Sequence, residues 1–100
     1  METIVEQIAG PYTLTQDTAV HGTVSGSVTV PHGLSLLLHG FVTGDLTVER
    51  GGMARVHGNV DGTVINHGAD VRVYGMVDRV IDQDKANPTF ISSRAIILSE

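Results

Sequence analysis

The sequence predicts an all-β chain wound into a short β-solenoid, and three observations predict it. HGTVSGSV at His21, HGFVTGDL at His39 and HGNVDGTV at His57 recur at one constant spacing. Apolar and polar residues alternate within each unit, which is how a strand with one buried face reads. The 12 glycines fall in matching places in successive units, where corners between strands belong. Three six-residue sides per 18-residue coil give a triangular cross-section. Each coil then rests on a near-copy one strand spacing of about 4.8 Å away.

Taken in chain order, residues 1–19 read as an N-terminal cap with a short first coil. Tyr12-Thr13-Leu14 matches Val28-Thr29-Val30 and Leu46-Thr47-Val48, so this coil is expected to start near residue 10, with ETIVEQI before it as a capping strand or turn. Residues 20–81 form the repeat core of about four coils. Its inward columns are Val20, Leu38 and Val56; Val24, Val42 and Val60; and Val28, Leu46 and Val64. A step of six runs through Val24, Val30, Leu36, Val42, Val48, Ala54 and Val60. One residue is missing after Val64; allowing for it there puts Ile65 with Val30 and Val48, and Val71 with Leu36 and Ala54. Residues 82–100 close the single domain. DQDKANP reads as a polar loop, and TFISSRAIIL as strands that cover the last coil, because an open solenoid end exposes sheet edges to self-association.

Composition narrows the function classes. The chain has no cysteine, so disulfides and thiolate metal sites are excluded. Its formal charge of −5 argues against a nucleic-acid partner, which needs a basic surface. No apolar run approaches the roughly 18 residues of a membrane span. METIVEQIAG is acidic and unlike a signal peptide, so a cytoplasmic location is expected.

The phrases GTVSGSV (22–28), GFVTGDL (40–46) and GNVDGTV (58–64), with a degenerate GMVDRVI at 75–81, resemble the repeated core of the bactofilins. These are bacterial cytoskeletal proteins with a right-handed β-helix, and the resemblance covers about residues 20–81. It implies a right-handed solenoid and a non-enzymatic scaffold that polymerises end to end without nucleotide. The left-handed hexapeptide helix of acyltransferases and γ-class carbonic anhydrases shares the 18-residue turn, and periodicity alone fits both.

Polar residues also form columns. His21, His39 and His57 lead to Tyr74, and His32, Arg50 and His67 make a second set. A metal site needs ligands converging on one point, whereas a ladder of parallel rings aims its nitrogens one way. A surface stack is therefore expected, with no metal and no cofactor. Protonated rings one coil apart would oppose each other, which makes this edge acid-sensitive. No G-x-S-x-G, H-E-x-x-H or phosphate loop is present, and Ser25, Ser27 and Ser35 sit at ordinary outward positions, so no enzyme is expected.

A protein-binding surface is better motivated. Phe41, Tyr74 and Met76 should stand outward on one flat side beside Asp61, Asp78, His39 and His57. Aromatic residues within a polar rim suit a protein contact, unless a terminal segment folds over them. Asp45, Asp61 and Asp78 read as solvated edge residues. The expectation is a capped solenoid that binds another protein, concretely an acidic inhibitor or immunity-type protein blocking a basic toxin. The alternative is a bactofilin-like scaffold that self-associates through its coil ends.

Overall fold

The computed structural model describes residues 2–83 and 88–98. The first coil contains β1 (Glu2–Ile4), β2 (Gln7–Ala9) and β3 (Tyr12–Thr13). The second contains β4 (Thr18–Val20), β5 (Thr23–Ser25) and β6 (Val28–Val30). The third contains β7 (Ser35–Leu38), β8 (Phe41–Val42) and β9 (Leu46–Val48). In the fourth and fifth coils the second and third strands merge. These coils are β10 (Met53–Val56) with β11 (Asn59–Asn66), then β12 (Asp70–Val73) with β13 (Met76–Asp82). Two short strands follow, β14 (Phe90–Ile91) and β15 (Ile96–Ile97).

Every strand pairs in parallel with its counterpart one coil away, and no helix occurs among the described residues. The chain is a β-solenoid of about five turns. One sheet runs β1-β4-β7-β10-β12-β14, and a second wraps the other two sides, with β11 and β13 carrying it round the corner between them.

The periodic core is where the sequence puts it. Val24, Val30, Leu36, Val42, Val48, Ala54 and Val60 are all buried. Register explains why: Val20 pairs with Leu38 and Leu38 with Val56, one full period on each time. Each inward side chain therefore packs on its own equivalent above and below. Fully burying a Val or Leu side chain stabilises by about 1.5–3 kcal/mol, and no single coil can bury its own.

Two expectations about register change in detail. The first coil begins at residue 2, not near 10. Glu2–Ile4 and Gln7–Ala9 are two of its strands, and Ile4 pairs with Val20, a shorter step than the period of the later coils. The missing residue lies after Asn66, in the turn, rather than after Val64. Ile65 pairs with Thr47 and faces outward, while Asn66 pairs with Val48 and enters the core column. Asn66 is fully buried, and its Oδ1 accepts from the Gly68 and Ala69 amides at 3.0 and 2.6 Å. Its Nδ2 donates to Thr89 Oγ1 at 3.1 Å, and that hydroxyl donates to Asp82.

The glycines serve two different purposes. Gly33, Gly51 and Gly68 turn one corner with φ of 82°, 82° and 89°, a conformation that disfavours any Cβ. The His-Gly corner is different. Gly22, Gly40, Gly58 and Gly75 do not have positive φ; there, a Cβ at Gly40 would overlap the carbonyl oxygen of Gly22, and one at Gly58 that of Gly40. Close approach of coils, not backbone angle, demands glycine at this corner.

The closing segment covers the fifth coil as strands, but by continuing the solenoid. Arg72 pairs with Phe90, Val73 with Ile91, and Met76 and Val77 with Ile96 and Ile97. Phe90 and Ile91 remain 54% and 45% exposed at the far end of their sheet. The polar loop read from DQDKANP lies largely on residues 84–87, outside the described residues, and β13 extends through Asp82.

Candidate interaction face

Two columns define the candidate site. The first stands on the corner between β10 and β11 and its equivalents. Val20, Leu38, Val56 and Val73 point inward at the ends of their strands, so the following residue turns out at the corner. That residue is His21, His39, His57 and Tyr74 in successive coils. The rings stack as expected from their spacing. His21 and His39 have centroids 5.1 Å apart and planes within 5°. His39 and His57 stand 5.0 Å apart, and His57 and Tyr74 4.7 Å, again nearly parallel. Phe90 closes the column at 6.0 Å with its ring tilted by 52°.

Parallel rings at strand spacing point their nitrogens alike. Among the described residues no three His, Asp or Glu side chains converge as metal ligands. Tyr74 is tied to the neighbouring side of the solenoid. Its hydrogen bond to Arg72, with Asp70 3.4 Å from the Arg72 Nε as the second cause, holds that guanidinium more firmly protonated than usual.

The second column lies two residues beyond the first on the β2-β5-β8 side. Register aligns Gln7, Thr23, Phe41, Asn59, Met76 and Ile96 as its outward residues. Phe41 is 53% exposed, and no described segment folds over it. Asp61 is exposed and Asp78 half-buried farther along β11 and β13, and His39 and His57 are exposed at the edge. Tyr74 and Met76 are half-buried between their column neighbours. All seven residues singled out from the sequence therefore lie on this side or its edge.

Sequence reasoning misses two members. Ile96 and Leu98 are 50% and 60% exposed and extend the side past Met76 and Asp78. Ile96 pairs with Met76 across a step longer than the repeat, so the period cannot reveal it. Asp45 is also not merely solvated: its Oδ1 accepts from the Thr63 amide at 2.8 Å, tying the third coil to the fourth.

The second polar set is His32, Arg50 and His67. His32 lies over the Cα of Gly51, with its Nδ1 3.0 Å from the Arg50 carbonyl oxygen. Beside it runs an open furrow along Gly33, Gly51 and Gly68, floored by Leu34 and Met53. Its charged lining, Asp70 and Arg72, is already paired.

Comparison with protein-family models, curated proteins and solved structures finds no match. The functional reading therefore rests on the face itself. That face carries Phe41, Met76 and Ile96 in one outward column, with Asn59 between Phe41 and Met76, and it has stacked imidazoles at one edge and Asp61 and Asp78 toward the other.

Proposed function

We propose that the protein acts without catalysis, as a binding module whose Phe41 face covers a basic protein surface. The observation that carries this reading is the exposure of Phe41, Ile96 and Leu98, with half-buried Met76 between them and Asp61 and Asp78 beside them. An aromatic anchor within a polar rim is the usual make-up of a protein contact. The formal charge of −5 suits a cationic partner, since complementary charge speeds encounter and selects against wrong partners. The concrete form is an inhibitor or immunity-type protein that blocks a basic, nuclease-like toxin. The test is calorimetric titration against purified basic nuclease-type toxin domains. Phe41→Ala and Asp61→Lys are each expected to weaken binding at least about tenfold while leaving the melting temperature in place. Binding indifferent to both changes overturns the reading.

One observation favours a second reading, a scaffold assembling through its coil ends. The last strands leave Phe90 and Ile91 exposed on an outer edge, and β1, β2 and β3 are the outer strands at the other end. Sedimentation velocity over a hundredfold range of concentration separates the two. A single small species favours the binding module. Growing assemblies that Ile91→Lys abolishes and Phe41→Ala leaves intact favour the scaffold.

A further inference from the structure

We propose that the column His21, His39 and His57 is a protonation gate on the Phe41 face, releasing a cationic partner when the surroundings acidify. This inference rests on the reading of that face as a docking surface for a basic protein. The geometry places the gate at the contact. His39 and Phe41 are two residues apart with Gly40 buried between them, and the same step separates His57 from Asn59 and His21 from Thr23. A partner seated on Phe41 therefore meets His39 at the edge beside it, with His21 and His57 one coil to either side. All three are exposed, and their rings stand 5.0–5.1 Å apart. Imidazole is the side chain whose charge changes between pH 5 and 8, so acid places up to three positive charges in a line along the rim.

The rest of the molecule magnifies the change. The chain has five histidines and a formal charge of −5 with all of them neutral, so full protonation brings that charge to zero. The face then loses its general attraction for a cation and gains local repulsion at its edge.

The other groups around the column leave this sign unchanged. Arg55 on β10 and Arg72 on β12 lie two residues before His57 and Tyr74, and both stay charged throughout. Arg72 is taken up by Tyr74 and Asp70. Arg94 lies in the turn between β14 and β15, beyond the Tyr74 end of the column, and is likewise always charged. Glu6, in the first-coil turn, and Asp61 and Asp78 on the face are carboxylates. Of these side-chain types, imidazole is the one that ordinarily changes charge between pH 8 and pH 5.5.

The experiment uses the full chain and a fluorescent deca-lysine peptide, whose own charge is constant over this range. Binding is read by anisotropy in low salt, where the contact is least screened. Wild type is expected to bind about tenfold more weakly at pH 5.5 than at pH 8. The double variant His39→Gln/His57→Gln should lose most of that difference. His32→Gln/His67→Gln removes as many histidines from the opposite corner and should keep it. Equal affinity at both pH values overturns the gate, as does a pH response shared equally by the two double variants. Absence of binding at pH 8, or binding untouched by Asp61→Asn/Asp78→Asn, overturns the docking face and the gate with it. Near-ultraviolet dichroism at both pH values confirms that each variant keeps its fold.

Discussion

At the scale of single residues, glycine does two kinds of work here, and mutation separates them. Gly40 faces a carbonyl oxygen of the coil below, and a Cβ there would overlap backbone atoms of Gly22 and His21. Backbone cannot swing aside as a side-chain tip can, so the coils must part locally, loosening packing in a column whose members touch all around. Gly40→Ala is expected to cost about 3 kcal/mol or more, in the range of core overpacking. Gly33 is the opposite case, with φ of 82° and nothing within 4 Å of the place a Cβ would occupy. Gly33→Ala should cost only the left-handed conformation, about 1–2 kcal/mol. Urea denaturation of both variants checks the order. A larger loss at Gly33 would mean that backbone angle, not close approach, sets the glycine pattern.

At the scale of elements, the corner after β11 shows what the sequence can and cannot reveal. The repeating columns are legible because the 18-residue step is constant from β4 to β10. Alternation then gives the outward side of Phe41, Met76 and the imidazoles without any structure. The missing residue is misplaced by sequence alone because apolarity prefers Ile65 to Asn66 in a valine column. The structure prefers Asn66 because the shortened turn leaves the Gly68 and Ala69 amides without a carbonyl, and the Asn66 carboxamide supplies one. Asn66→Val should therefore destabilise, by about 2 kcal/mol net, although valine matches Val48: two amides lose their acceptor. Ile65→Thr, which continues the Thr29 and Thr47 column, should cost less than about 1 kcal/mol. Thermal melts of the two variants decide, and the reverse order would return Ile65 to the core. The closing strands are hidden for a related reason. A non-repeating stretch separates Met76 from its partner Ile96, and no periodic argument survives an insertion of unmarked length.

At the scale of the whole molecule, the solenoid is a one-dimensional stack in which each coil touches only its neighbours. Stability in such a stack is close to a sum of coil and interface contributions. The middle coils have a neighbour on both sides, whereas the first coil and the β14–β15 turn have one. Exposure follows the same gradient: Val42, Leu46 and Ala54 are buried, while Val5 and Ile91 are not. Local opening should therefore start at the ends. Amide hydrogen exchange is expected to be slowest in β7, β9 and β10 and fastest in β1, β3 and β14. Concentration turns this profile into a test of the two functional readings. If the chain works alone through its Phe41 face, protection at the ends stays low at every concentration. If coil ends stack on other copies, amides of β1 and β14 gain protection as concentration rises, while those of β8 do not. A flat profile at the lowest concentration, equally protected from β1 to β15, would contradict the one-dimensional description itself, because coils lacking an outer neighbour should open first.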